Sequence, residues 1–562
     1  MEPSHDRSPS AGTTLQADSP RCGAGGIVPV GAIIILAVVW RLLGITTTEA
    51  WRDEAVTLLH LQAGWWDLMF RLPFVEDSPP LYFLVMKAWS LFFHQEWTMR
   101  LQAVVFGTAA VVTLMMVARG LAPRSWWLVG LLAAVAPVLV HYSQELRVYG
   151  FMMLLVALCF WAIEMIVRDP RSRRGHLLWG VFAALAAHCH AVGLFVYPMT
   201  AVYLLVRLSR QRRWSILSLW STGVWLVGCT PMFWFNLHWA AKHKTTGWWI
   251  DPVSGTRAYD LLCSFTGATV VSQSAIEAIH NSLADVLEIG STYFIFACCV
   301  ACAAAALRLP RTRNIALALL ASLAVYTLLM LATSLTGVPN MIDRTMLPIA
   351  VPLLLLLGIG ADSTLDLDGP KRWLLPASAV LMAGLWAAGW FWMAEYSENE
   401  RRAAQTECFR YLREELGADD MLVITPSWLE DSAAYHLRDI VSGEQLFTTD
   451  APTYAGRPPR HMLMHSRITI TGKRIKEGPW SERIRAARRE RQGKDYSVWL
   501  ISGFWQDFFQ DPVVEQLESF FEGDFRRVDK YSATKLTGIV AQRYVSIRAT
   551  QPATGPAVPA GK

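Results

Sequence analysis

The stretch Arg168-Asp169-Pro170-Arg171-Ser172-Arg173-Arg174 separates two long apolar runs with a short gap dense in arginine. Gaps of the same kind recur at Arg119 to Arg124, at Arg207, Arg210, Arg212 and Arg213, at Arg308, Arg311 and Arg313, and at Lys371 and Arg372. The alternate gaps hold Trp51-Arg52-Asp53-Glu54, Ser143-Gln144-Glu145-Leu146-Arg147 and Ile342-Asp343-Arg344. Short loops rich in Lys and Arg stay on the cytoplasmic side of a membrane. The acid–arginine clusters are therefore expected to meet on the outer side, and that face is expected to hold the chemistry.

The composition agrees with a zigzag of membrane helices. Hydrophobic residues make up 53% of 562, charged residues only 17%, and 25 tryptophans suit aromatic belts at two interfaces. The net charge of +5 is accounted for largely by the inner gaps. Nucleic acid is not expected as a partner, because no basic domain interleaved with aromatics faces the cytoplasm. Six of nine cysteines (Cys159, Cys189, Cys229, Cys298, Cys299 and Cys302) lie in apolar segments, where a small, soft side chain packs well. Cys22 is in the N-terminal tail, leaving Cys263 and Cys408 on the outer side, and their spacing alone makes a weak case for a bridge.

A span needs about 20 apolar residues. The first is expected from about Ile27 to Ile45, after a cytoplasmic, disordered tail over 1–26 with no cleavable signal. Others are expected at about 99–118, 125–142, 149–167, 177–192, 192–207, 215–236, 289–307, 314–335, 345–360 and 373–393. These make about eleven spans within a membrane domain over 27–396, the N-terminus inside and the C-terminus outside. Long outer loops are expected at about 46–98 and 236–288; the second carries Gly247-Trp248-Trp249-Ile250-Asp251-Pro252. In the first, Pro80 to Phe93 is an apolar run of about 14 residues, too short to cross comfortably and expected at the interface.

From 397 to 549 the pattern turns charged and amphipathic. Helices are expected at 402–416 and 512–521 and strands at 421–425, 496–502 and 536–547, giving a small extracytoplasmic α/β domain. A basic helix at Arg483 to Arg491 reads as a solvated face, with an anionic glycan or lipid head as its alternative ligand. The tail over 550–562 is expected to be disordered.

Asp53 and Glu54 place two carboxylates just beyond the first span. Such a pair is costly near lipid unless it meets water, a cation or a substrate hydroxyl. One carboxylate accepting the proton of an attacking hydroxyl is the functional reading, against ordinary loop solvation. Successive helical residues diverge by about 100°, so one of the two faces a site, and Asp53 is assigned to it. Glu76 and Asp77 precede Pro79-Pro80 and suit either a helix dipole or a bound acceptor. Glu145 and Arg147 either pair with each other or headgroups, or Arg147 grips a phosphate bidentately. Arg344 is either a snorkelling anchor or a second clamp on an anionic head. His188-Cys189-His190 has a spacing that splays both imidazoles on a helix, which favours two polar residues at a hairpin over a metal pair.

Together these elements resemble the GT-C superfamily of membrane glycosyltransferases, and within it the bacterial family related to protein O-mannosyltransferases and the lipid A aminoarabinose transferase. The likeness is carried by Trp51-Arg52-Asp53-Glu54-Ala55, Pro79-Pro80-Leu81-Tyr82, Met99-Arg100-Leu101, Ser143 to Tyr149, and Arg344 with Pro348 and Pro352. Where the family commonly has His before the Pro-Pro pair, Ser78 stands here. The resemblance implies a polyprenyl-phosphate-linked sugar as donor, a lipid, glycan or protein as acceptor, and direct displacement with inversion in the plasma (inner) membrane. It implies Asp53 as base or acceptor-orienting acid with Glu54 in support, and Arg147 and Arg344 as stabilisers of the leaving phosphate. Glu145, Asp77, Tyr149 and Arg100 fall to acceptor binding or support. A divalent cation, Mg or Mn, stays open, since some relatives use one and others do not.

Two rival functions fit parts of the pattern. Transporters place ionisable residues near the midplane in paired repeats; here the charges sit at span ends and no repeat is apparent. A glycan polymerase or ligase with a lipid-diphosphate donor would also face outward.

Overall fold

The computed structural model describes residues 27–46, 50, 52–74, 78–209, 215–246, 254–266, 281–336, 339–417, 420–425, 430–437, 446–448, 489, 496–503, 525–533 and 539–546. Both terminal tails, Arg210, Arg212, Arg213, Gly247 to Pro252, all of Arg483 to Arg491 but Arg489, and the helix expected over 512–521 lie outside them. Cys263 and Cys408 are both described, and both are free thiols, so no bridge joins them.

Six described helices are long and apolar enough to cross a membrane: Glu96–Leu121, Tyr149–Arg168, Ala191–Ser209, Gly290–Arg308, Pro310–Leu335 and Asp343–Thr364. The other expected spans coincide with helices that are shorter, interrupted or partly polar. These are Ile27–Leu42, Trp126–Val135 with Pro137–His141, Arg173–Cys189, Leu217–Thr246 and the first part of Leu374–Glu415. The expected interfacial segment is the helix Pro80–Trp89, which at about 1.5 Å per residue is roughly half the thickness of a bilayer core.

The breaks have chemical causes. Pro137 has no N–H to donate, so the helix from Trp126 ends at Val135 and leaves carbonyls unclaimed. Arg41 from the first helix takes them, donating from Nη1 to Ala134 O at 3.0 Å and from Nη2 to Ala133 O at 3.1 Å. Its guanidinium is buried among apolar helices, and these carbonyls, the negative end of a helix dipole, meet its two Nη groups in place of a carboxylate. Pro348 interrupts the segment Asp343–Thr364 as a single 3-10 turn. Close packing uses small residues: Gly360 lies against the Cys302 backbone and Gly358 against Val129, where a Cβ would collide.

The two kinds of gap gather at opposite ends of the bundle. At one end, buried Asp362 accepts the Arg124 N–H at 2.9 Å and the Arg311 Nη2–H at 2.9 Å. Asp366 accepts from Arg124 at 2.7 Å and Arg311 at 3.0 Å. Three basic gaps, distant in sequence, are thus pinned together. Asp53, Arg147 and Arg344 meet at the far ends of the same helices.

The last membrane helix does not stop where expected. The span expected at 373–393 and the helix expected at 402–416 are one continuous helix, Leu374–Glu415, about 63 Å long. No proline or glycine interrupts the polar stretch between them, so nothing ends the hydrogen-bond ladder. Its final turns pack Cys408, Phe409 and Leu412 on Leu422, Trp499, Ile501 and Ala541 of a five-stranded sheet. The strands are β1 (Met421–Thr425), β2 (Leu446–Thr448), β3 (Ser497–Gly503), β4 (Phe525–Ala533) and β5 (Ile539–Ser546), in the order β2-β1-β3-β5-β4. β1 is parallel to β2 and β3, whereas β5 is antiparallel to β3 and β4. β1 lies where expected; β2 and β4 were not expected. Both are edges, and β4 exposes Arg526 and Arg527, a charged pattern that blunts an edge and hides a strand from hydrophobic periodicity.

The sheet region also touches the bundle. On the helix Glu430–His436, the Tyr435 hydroxyl donates to Glu96 Oε1 at 2.7 Å, while Glu96 Oε2 accepts the Ala50 N–H at 3.0 Å. The His436 Nε2 donates to Ala50 O at 3.1 Å. Tyr435 packs with Ala50, Ala55 and Leu59, so this contact abuts the helix that carries Asp53.

Asp362→Ala strips a buried acceptor from Arg124 and Arg311 and leaves the Arg124 N–H unpaired. It is expected to lower stability by about 2 kcal/mol, read as an earlier thermal transition in detergent; an unchanged transition would show that the arginine gaps do not depend on this carboxylate.

Candidate functional site

The helix Arg52–His60 begins with Asp53 and Glu54 in its first turn, where carboxylates suit the positive end of the dipole. Their side chains part company there. Glu54 is fully buried and forms a fork with Arg100, which donates from Nε at 3.0 Å and from Nη2 at 2.6 Å. Glu54 Oε1 also accepts the Leu146 N–H at 2.7 Å, and Arg100 Nη1 donates to Ile45 O at 3.1 Å. Four segments are tied at this one carboxylate. Neither Glu54 nor Arg100 is accessible to a ligand; both support the site from beneath.

Asp53 turns the other way. Its Oδ2 meets Arg344 Nη1 at 3.1 Å, and both side chains keep a fraction of their surface open, 16% and 20%. Arg147 Nη1 donates to the Asp53 carbonyl at 3.2 Å and to Thr57 Oγ1 at 3.2 Å. Residues 94 and 291 positions away are thereby brought to Asp53. Arg344 is held by its own turn. Its N–H donates to Asp343 Oδ1 at 2.8 Å, and Thr345 O accepts from the Tyr326 hydroxyl at 2.7 Å.

Around this triad stand aromatic and acidic neighbours. Tyr149 is buried, its ring 4.8 Å from Tyr142 and 6.1 Å from His190. Glu145 is buried, and its Oε1 lies 3.3 Å from His141 Nε2. Tyr82, on the interfacial helix, donates to Gln102 Oε1 at 3.4 Å. Burial raises its phenol well above the usual range, with Arg147 opposing, so it stays a neutral donor. Asp77 and Glu76 lie outside the described residues; Ser78 is half-buried and Pro79 and Pro80 are buried.

The two histidines of the hairpin diverge. His188 Nε2 donates to Gly228 O at 2.8 Å, on the helix Leu217–Thr246. His190 sits in the break between the helices Arg173–Cys189 and Val196–Ser209. Thr57, which accepts from Arg147, is a site residue that sequence reasoning did not assign; it was readable from its i+4 spacing to Asp53.

Among the described residues no group of three or more His, Cys, Asp or Glu side chains is arranged to hold a metal ion. The donor set at Asp53 does not fit a divalent cation: its carboxylate faces the Arg344 guanidinium, and Arg147 adds a second positive charge.

With the geometry in hand, comparisons with known proteins bear on the fold. No family model matches the chain, and no curated protein matches it. Among solved structures, ArnT from Cupriavidus metallidurans in the apo state superposes with a TM-score of 0.55 at 13% identity, covering 92% of this chain and 98% of that one. The same protein bound to undecaprenyl phosphate gives 0.53 at 14%, covering 92% and 97%. An oligosaccharyltransferase from Archaeoglobus fulgidus, solved with Zn and sulfate, gives 0.49 at 11%, covering 90% and 72%. The chain has the fold of ArnT and is a polytopic helical protein.

Breaking the buried fork from one side leaves an uncompensated charge. Arg100→Met is expected to cost about 3–5 kcal/mol. The double variant Glu54→Gln with Arg100→Met should recover part of that loss; a double variant as unstable as the sum of the singles would show that the two residues do not act as a pair.

Proposed function

We propose that this chain is a membrane glycosyltransferase that moves a sugar from a polyprenyl-phosphate donor to an acceptor hydroxyl or amine on the outer face of the inner membrane. One observation carries the reading: Asp53, Arg147 and Arg344, from three distant gaps, share one partly open site at the end of the bundle. The fold likeness supports it, since ArnT has been solved with undecaprenyl phosphate bound. The arginine-rich gaps argue that the opposite end is cytoplasmic. On that ground the N-terminus is inside, and the region from 397 to 549 is an extracytoplasmic α/β domain following a membrane domain over 27–396 with about eleven spans.

The chemistry follows from the charges. The acceptor oxygen or nitrogen attacks the anomeric carbon as the bond from that carbon to the phosphate oxygen breaks, and the electron pair leaves with the phosphate. Negative charge grows on the leaving group, and dispersing it is the main electrostatic demand. Arg147 and Arg344 meet it, their planar forks suiting phosphate oxygens. The acceptor proton passes to the Asp53 carboxylate. A phosphate on Arg344 competes with Asp53 for the same guanidinium, so donor binding turns the carboxylate toward the acceptor. Attack from the face opposite the phosphate inverts the anomeric centre. Glu54 and Arg100 hold the Asp53 helix in place, Tyr149 and Glu145 line the site, and Asp77 is assigned to the acceptor side. No step runs through a metal ion.

Asp53→Asn is expected to lower turnover about 10²- to 10⁴-fold with donor binding retained. Arg147→Lys, which keeps the charge but loses the fork, should lower it about 10- to 100-fold. The measurement is mass spectrometry of envelope glycolipids and glycoproteins with each variant in place of the parent chain, together with the released lipid. Polyprenyl monophosphate is the expected product. Release of a diphosphate would move the protein to the polymerase or ligase class, and unchanged glycans with Asp53→Asn would remove the carboxylate from the reaction.

A further inference from the structure

Ala50 lies just before Asp53 in the chain, and both polar groups of its buried backbone are taken by side chains from elsewhere. Its N–H goes to Glu96 Oε2 at 3.0 Å, and its carbonyl accepts the His436 Nε2–H at 3.1 Å. Glu96 opens the helix Glu96–Leu121, and Arg100, one turn further on, holds Glu54. One face of a single membrane helix therefore fixes the chain on both sides of Asp53. The other oxygen of Glu96 accepts the Tyr435 hydroxyl at 2.7 Å, which sets the rotation of that carboxylate.

Tyr435 and His436 come from outside the bundle. Their short helix, Glu430–His436, buries Ala433 in the core of the sheet with Leu422, Trp499 and Ile501, and Leu437 follows it there. The His436 ring stacks on Phe409 of the long helix at 5.3 Å. The Tyr435 ring packs on Ala55 and Leu59. At about 100° per residue, those two positions lie roughly 160° round the helix Arg52–His60 from Asp53 and Thr57. The front of that helix meets Arg147 and Arg344, and its back rests on the C-terminal domain. A helix of 9 residues is marginal by itself, so its contacts decide its placement. Misplacing a reacting group by about 1 Å can slow a reaction about 10²-fold.

We infer that Tyr435 is a positioning residue: through Glu96 and Ala50 the C-terminal domain sets where Asp53 stands against Arg344. The inference rests on the glycosyltransferase reading above and gives the C-terminal domain a role which that reading does not contain. Tyr435 acts from behind the helix and needs no contact with donor or acceptor.

The test uses Tyr435→Phe, which removes the hydroxyl and keeps the ring packing. In the purified full chain in nanodiscs, amide hydrogen exchange over residues 52–60 is expected to speed about 5- to 10-fold, the loss of one hydrogen bond, with residues 119–126 unchanged. In cells, the rate of envelope glycan modification, read by mass spectrometry at matched protein levels, should fall by about the same factor. In the Asp53→Asn background the same substitution should have no further effect, whereas a mere loss of folded protein would lower both backgrounds alike. Glu96→Gln keeps an oxygen for the Ala50 N–H and offers an N–H to the Tyr435 oxygen, so it should stay within about threefold of the parent. Unchanged exchange over residues 52–60, or equal losses in the two backgrounds, overturns the positioning role and leaves the proposed function standing. A parent chain that modifies no envelope glycan overturns both.

Discussion

The fork between Glu54 and Arg100 is the constraint on which the rest of the site depends. A carboxylate and a guanidinium buried at the edge of a bilayer are each expensive alone, and bidentate geometry with two further backbone partners makes them tolerable together. Their importance lies in what they join. Ile45 ends the turn after the first helix, Glu54 belongs to the short helix Arg52–His60, Arg100 lies in the first turns of the helix Glu96–Leu121, and Leu146 lies in the gap before the helix Tyr149–Arg168. With those four points fixed, Asp53 and Arg147 have little choice of position, and Arg344 arrives against them.

The bundle is otherwise organised by its interruptions. Proline at 137 and 348 ends regular helix where the chain must bend, and the resulting loose carbonyls draw in polar side chains, of which Arg41 is the clearest. At the opposite end, Asp362 and Asp366 bind the arginines of two gaps. Charges that orient the chain in a membrane thus also staple its helices together. Locking one end leaves the other to be shaped by function.

The region after residue 396 is mechanically joined to that shaped end. A continuous helix carries it there, and the helix Glu430–His436 returns to Ala50 and Glu96 beside the helix of Asp53. Glu96 answers two segments at once, one oxygen for each. The beginning of the Asp53 helix is therefore held from below by Arg100 and from above by Tyr435.

Much of this was legible in the sequence, and for local reasons. Apolar run length located the helices, arginine density paired the gaps on one side, and β-branched runs marked β1, since each signal sits within one stretch of chain. The tertiary structure decided what depends on distant partners. Asp53 and Glu54 are neighbours with the same chemistry, and nothing local says which one Arg100 captures from 46 residues away. The same holds for the histidines at 188 and 190, for the charged edge strand β4, which is a strand only because β5 lies beside it, and for the continuity of Leu374–Glu415. Periodicity and charge are properties of a segment, whereas burial and pairing are properties of the contacts a segment makes.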